Sequence, residues 1–537
     1  MLRRLVLVLL FVLPTLASPL AALEMTHERL AIAGAPASIL SADLDGDGRR
    51  DLVTVLASTR WGQVGIEEPQ RIDASGAYAE ALTIVPMLFD RRVLAVFRGL
   101  PEGGFAVDAA MLELPTSVHA LVAGTGRDAL LAWTDEGFAA VELAGSTLSL
   151  TLRIALPSPL AGSRAFLNDL PLATDLDGDG VSDLLAPTGG GIEVHLGSRD
   201  GFAAKAASVV PDPLGERLPG DASHYRDGGR RLISLPEAVD LDGDRLPELV
   251  FREHDRGLNR VRIARNLGGG RFAASVDPLA GRARDAEPEV VWIGDLDGGG
   301  RGEIVTAEEL EPEADTMRAG LEQARRPRYR YRVHELGDAL LWNPEPVRTF
   351  ELTGYVFGGG EQELGLPQGI LDLDGDGRTD VVALTLDFSL FQALRVLTVR
   401  SLHLGLEFHP YCQREDGTLA PVADSELGGQ FTIHLERLRL GQLISFAGDF
   451  DGDGRHDYLQ LGHGRQARIR FGAPGCRFPS VGEAQVRLAT EPSDLALVRV
   501  LDLDGDGRSD LIAIDPPRTG AVDGRGALDL YVTRGRR

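Results

Sequence analysis

A ten-residue pattern, Asp-x-Asp-Gly-Asp-Gly-x-x-Asp-apolar, recurs along this 537-residue chain. Complete copies start at Asp43, Asp175, Asp372, Asp449 and Asp502, and altered copies at Asp240 and Asp295. Repetition at this density calls for repeated supersecondary units rather than one continuous core. Successive starts lie 132, 65, 55, 77, 77 and 53 residues apart. The first interval is about twice the others and holds a further unit, "LVAGTGRDALLAW" from Leu121. That stretch keeps the Gly-x-Gly turn and the apolar run. It carries Leu121, Ala123, Thr125 and Ala129 at the aspartate positions.

Each unit also carries a weaker signature downstream: an alternating strand, a Gly turn and a Phe. Examples are "VLAVFRGLPEGGF", "IEVHLGSRDGF", "VRIARNLGGGRF" and "ARIRFGAPGCRF". A unit therefore reads strand, acidic loop, strand, turn, strand, Gly turn, strand, which describes a propeller blade. The fold expected is all-β, an eight-bladed β-propeller over residues 28–537. Seven blades are the alternative if the Leu121 unit forms none. A solenoid or a string of small domains fits less well, because the units lack linkers. The chain ends on "ALDLYVTRG", third in its blade, and "ERLAIAG" near the start can supply the missing fourth strand. Such closure removes the open edges of a linear array.

The acidic loop and the Gly-Phe turn resemble the FG-GAP or VCBS repeats, the type that builds the integrin alpha-chain propeller. The resemblance covers nearly the whole chain after its first residues. It implies a calcium-binding propeller. It leaves function open, because such repeats occur in adhesins, lectins, some polysaccharide lyases and other exported proteins.

The residues point to the same metal. Carboxylates at positions one, three, five and nine of a tight loop, with the position-seven carbonyl, can form an oxygen cage. Hard oxygen donors without His or Cys suit Ca²⁺. The ligand set in the complete loops is Asp43, Asp45, Asp47 and Asp51; Asp175, Asp177, Asp179 and Asp183; Asp372, Asp374, Asp376 and Asp380; Asp449, Asp451, Asp453 and Asp457; and Asp502, Asp504, Asp506 and Asp510. The altered loops offer Asp240, Asp242, Asp244 and Glu248, and then Asp295, Asp297 and Glu303, where Gly299 removes one carboxylate. A water could take that place, with weaker binding. The carbonyls belong to Arg49, Val181, Leu246, Arg301, Arg378, Arg455 and Arg508. An EF-hand is excluded. Position twelve is Thr54, Ala186, Ala383, Gln460 or Ala513 rather than Glu, and a strand-like run follows instead of a helix.

The net charge of −25 argues against nucleic acid and anionic membranes as partners. Seven calcium ions would bring that charge to −11, so much of the acidity belongs to the loops. Residues 1–22, with Arg3 and Arg4 before an apolar stretch and small residues, read as a secretory signal peptide. A retained anchor is the alternative for this stretch, and no other segment can span a bilayer. The location expected is secreted, periplasmic or cell-surface, and the chain is expected to be a monomer. Cys412 and Cys476 follow neighbouring acidic motifs and could pair in an exported protein.

Catalytic signatures are thin. There is no Gly-x-Ser-x-Gly elbow and no His-Glu-x-x-His pair. His119, His195 and His434 sit in strand-like runs and read as packed or surface residues. One insertion, after Glu303, has an acidic half (Glu308 to Asp315) and a basic half (Arg318 to Arg332). It serves either as a cationic contact for an acidic partner or as a self-paired element. The two largest insertions, 59–90 and 304–327, fall between strands two and three. That places ligand binding on the face opposite the acidic loops, with Trp61, Arg325 and Arg326 as candidates. The function expected is non-catalytic binding, adhesion or scaffolding for a protein or glycan. A lectin or a polysaccharide lyase on the same propeller is the alternative.

Overall fold

The computed structural model describes residues 23–58, 91–162, 166–211, 235–255, 258–280, 289–311, 316–356, 369–388, 401–423, 427–434, 437–439, 443–462, 464–492, 497–515 and 525–536. Eight antiparallel sheets follow one another along the chain and form an eight-bladed β-propeller. Blade 1 runs from Ala35 to Leu114 and blade 2 from Val118 to Ala155. Blades 3 to 7 begin at Ala173, Glu237, Glu289, Ile370 and Leu443. Blade 8 takes Val498–Leu501, Asp510–Asp515 and Arg525–Arg536, and its fourth strand is Leu23–Ala33 from the other end of the chain. The second strands are mainly apolar runs, β-branched in cases such as Asp51–Ser58, which is buried on both faces between neighbouring blades.

The hydrophobic clusters close the circle. One cluster joins Leu528 and Ile512 of blade 8 to Leu52 and Leu94 of blade 1 and Leu130 of blade 2. Further clusters link blades 2 and 3, 3 and 4, 4 and 5, 5 and 6, 6 and 7, and 7 and 8. First strands of adjacent blades pack together in blades 1 and 2, 2 and 3, and 7 and 8, which puts them on the inside.

The closing strand is longer than "ERLAIAG". It pairs from Leu23↔Arg536 to Ala33↔Arg525. Arg29 donates to Asp529 at 2.7 Å and also to Asp515, and His27 contacts Asp529 at 2.9 Å. Asp529 is fully buried, so these partners satisfy a carboxylate that would otherwise be costly to bury.

The Leu121 unit does form a blade, but in a different register from the one its pattern suggests. Leu121–Thr125 lie inside the first strand, Val118–Thr125, and the turn is confined to residues 126–127. Asp128, not Ala129, opens the second strand, where the other blades place the last acid of the loop. The insertion in blade 5 also starts later than its sequence suggests. The second strand runs on through Glu303–Glu309, and a short helix, Met317–Arg325, capped by Thr316, precedes the third strand at Arg328. Blade 6 extends its third strand, Ser401–Gln413, with added strands Leu419–Pro421, Leu427–His434 and Arg437–Arg439.

Candidate metal centre

All seven acidic loops join strands one and two, so strand alternation places them on one face. The opening aspartate winds each loop around itself. Asp372 Oδ1 accepts the Gly375 N–H and Oδ2 accepts the Gly377 N–H, both at 2.8 Å. Asp43, Asp175, Asp240, Asp449 and Asp502 repeat this arrangement, while Asp295 takes Gly299 and Gly300. The glycine at position four has positive φ in every loop, from 70° at Gly298 to 80° at Gly505. Position six is also left-handed, and there Arg245, at φ 70°, occupies a conformation that suits glycine.

The position-nine acid starts strand two and is buried. In six loops one of its oxygens accepts the position-two N–H and the other an N–H near the end of strand three. Asp457 takes Phe450 at 2.7 Å and Gly472 at 2.8 Å, and Asp510 takes Leu503 at 2.8 Å and Thr533 at 2.7 Å. Asp51, Asp183, Glu248 and Asp380 make the same clasp. Sequence reasoning missed this second role, because its partner lies from 14 to 48 residues away.

Positions one, three and nine converge. Asp43, Asp45 and Asp51 bring one oxygen each within 4.8 Å of one another, and so do Asp175, Asp177 and Asp183, Asp240, Asp242 and Glu248, and Asp295, Asp297 and Glu303. The position-three aspartate supplies the most telling atom. Oδ1 of Asp177, Asp242, Asp374 and Asp504 is buried and has no donor in good hydrogen-bonding geometry; the position-five N–H groups of Asp179, Asp244 and Asp506 act on their carboxylates only weakly. A buried carboxylate oxygen without a donor is costly, and a hard cation among the three acids would satisfy it. Position five is engaged elsewhere: Asp47, Asp179, Asp244, Asp376, Asp453 and Asp506 accept the position-seven N–H. Where position seven is Arg49, Arg378, Arg455 or Arg508, its guanidinium also pairs with that acid.

The electrostatics agree. Burial, with like-charged neighbours, pushes Asp183 up to about 6 and Glu248, Glu303, Asp380, Asp457 and Asp510 up to about 7. Asp51, Asp177, Asp242 and Asp504 are raised from the same first cause. A cation reverses such shifts by favouring the charged form. Blade 2 has no such cluster at its turn. There Arg153 pairs with Asp128 at 2.9 Å and with Glu142 at 2.5 Å.

Neighbouring loops are stitched edge to edge. The N–H groups of Gly302, Thr379 and His456 donate to the carbonyls of Leu241, Leu296 and Leu373 in the preceding loops, at 2.9 to 3.0 Å. A disulfide joins Cys412 to Cys476, with Cα atoms 5.6 Å apart, and so ties blade 6 to blade 7. Beside it Gly475 donates its N–H to Asp374 Oδ2 at 2.7 Å.

Of the candidates for the opposite face, Trp61 lies outside the described residues. Arg325 pairs with Asp387 at 2.6 Å and with Glu322, and Arg326 pairs with Glu407 at 3.6 Å. In the Arg-Tyr-Arg-Tyr-Arg strand, Arg330 and Arg332 pair with Glu308, and Arg328 and Arg330 with Glu351. Tyr331 is buried against Phe350. His119 pairs with Asp135 at 2.7 Å and His195 bonds the Ala203 carbonyl, both buried. No helix among the described residues is long and apolar enough to cross a membrane.

No family model and no curated protein sequence matches the chain. Among solved structures it is similar to the exotype rhamnogalacturonan lyase YesX (12% identity, TM-score 0.29, covering 96% of this chain and 74% of that one). It is also similar to the rhamnogalacturonan lyase YesW (12%, TM-score 0.27, 96% and 75%) and to Sqt1 from Chaetomium thermophilum (9%, TM-score 0.40, 94% and 97%). Similarity at this level carries no argument about activity, and what the chain itself establishes is an eight-bladed β-propeller with seven acidic loops on one face.

Proposed function

We propose that the protein is an exported β-propeller stabilised by calcium, which serves as a non-catalytic binding, adhesion or scaffold module for a protein or glycan partner. The observation that supports it most is the buried Oδ1 of Asp177, Asp242, Asp374 and Asp504. Each lacks a well-aligned donor and lies in a loop of converging carboxylates. The all-oxygen donor set favours Ca²⁺ over zinc or copper. The same loop recurs in blades that cannot share one active site, so the ion's role is structural. The partner is assigned to the face opposite the acidic loops, where the insertions emerge. Arg325 and Arg326 would have to exchange their present carboxylates for a ligand's.

The test has two arms. Elemental analysis of the purified protein, with thermal unfolding in calcium and in excess chelator, reads the metal. No bound calcium and an unchanged transition would sink that part. A pull-down from cell envelope, a glycan array and a polysaccharide turnover assay read the function. Turnover would replace the binding role with that of a lyase, and sugar-specific retention would make the module a lectin.

A further inference from the structure

The altered loop of blade 5 differs from the other six in what faces its acids. Arg348, the first residue of the fourth strand, Arg348–Thr353, reaches back into the loop. Its Nη2 lies 2.9 Å from Asp297 Oδ2 and 3.5 Å from Glu303 Oε1. These are the position-three and position-nine acids, two of the three carboxylates left after Gly299 replaces the position-five acid. The other position-three oxygen, Asp297 Oδ1, accepts the Gly299 N–H at 3.0 Å.

The contrast with the remaining loops is specific. Arg98, Arg265 and Arg534 also approach position-three acids, Asp45, Asp242 and Asp504, at 3.9, 3.2 and 3.0 Å. Each meets that one acid of its loop; Asp45 Oδ1 takes the Asp47 N–H at 3.3 Å, and Oδ1 of Asp242 and Asp504 stays buried without a well-aligned donor. Their position-nine acids, Asp51, Glu248 and Asp510, keep both backbone donors. Arg348 instead bridges two acids, and Glu303 directs Oε1 at the guanidinium.

The arginine is also held in place. Its Nη1 donates to Gln413 Oε1 at 3.4 Å and to the Gly417 carbonyl at 3.5 Å. Gln413 is fixed in turn, because its Nε2 donates to the Leu296 and Thr379 carbonyls at 2.6 and 2.8 Å. A calcium ion needs six to eight oxygens. This loop has one carboxylate fewer, and two of its remaining acids face a resident positive charge that repels a second cation.

We infer that blade 5 carries its own cation, the Arg348 guanidinium, and takes no calcium. The inference rests on the calcium reading of the other loops. Of seven acidic loops, six then bind an ion.

The experiment counts calcium per chain by elemental analysis at equilibrium dialysis against about 1 mM calcium, with the calcium of the protein-free buffer subtracted. The wild type should hold six ions, Asp297→Asn should still hold six, and Asp374→Asn should hold five. A double variant, Gly299→Asp with Arg348→Met, should hold seven. Seven ions in the wild type, or loss of one in Asp297→Asn, would overturn this inference and leave the calcium reading intact. Six ions in the folded double variant would overturn the role of Arg348. No ions in any of them would overturn the calcium reading, and this inference with it. The wild-type count needs no variant to fold.

Discussion

Gly375 lies directly beneath the carbonyl of Gly454 in the next loop: a β-carbon there would stand 2.5 Å from the oxygen. Gly377, two residues on, has open space around it. Both have positive φ, 72° and 84°, so alanine strains the backbone at either site. Only at Gly375 does it also push two blades apart. Gly375→Ala should therefore cost about 1–3 kcal/mol more than Gly377→Ala in denaturant unfolding. Equal losses would mean that the loops do not bear on each other.

Calcium should carry a large share of the stability. At about 1 mM calcium and a Kd of roughly 10⁻⁴ M, each occupied loop adds about 1.4 kcal/mol. Chelation should lower the melting temperature markedly. Asp374→Ala should narrow the gap between calcium and chelator more than Asp297→Ala does, as read by calorimetry.

In calcium-depleted buffer the pH dependence should have an unusual sign. The position-nine acids have folded values raised to about 6–7, above their ordinary range near 4. A group whose folded value is raised contributes stability that is present below the unfolded value and lost as pH rises through the folded one. The depleted protein should therefore melt lower at pH 8 than at pH 5. Saturating calcium should flatten or invert that trend. A depleted protein that gains stability from pH 5 to 8 would contradict the burial of these acids as charge-averse groups.

Arg245 occupies the left-handed position that glycine fills in the other six loops. Arg245→Gly should stabilise the chain, because relief of roughly 1–2 kcal/mol of strain exceeds the added chain entropy of about 0.5–1 kcal/mol. The shift would appear as a higher denaturant midpoint at constant m-value.

The cross-link between Cys412 and Cys476 spans 64 residues. Chain-entropy arguments put its contribution at about 4 kcal/mol. Replacing both cysteines by serine should lower stability by a few kcal/mol without changing the propeller's circular dichroism.

The blades and their closing strand were legible because short-range patterns encode them: acids at alternate positions, left-handed glycines and β-branched runs. What escaped was set by distance in space. Asp128 replaces Ala129 in blade 2 because the turn there is shorter, which shifts the register by one residue. Ile304–Glu309 reads as insertion by charge yet extends a strand, because its partner strand carries the arginines that pair with Glu308. Arg348 is 51 residues from Asp297, too far for any spacing rule to reveal.

Leu23 and Arg536 stand opposite each other in the last blade. They sit at the end of that sheet where the acidic loops emerge, since the third strand runs back towards that face. The two ends of the described propeller are thus neighbours. A short peptide could join them and new ends could be cut between any two blades, giving a circular permutant with the same ring. It also follows that a tether or fusion attached at Leu23 or at Arg536 would leave from one spot and orient the insertion-bearing face outward.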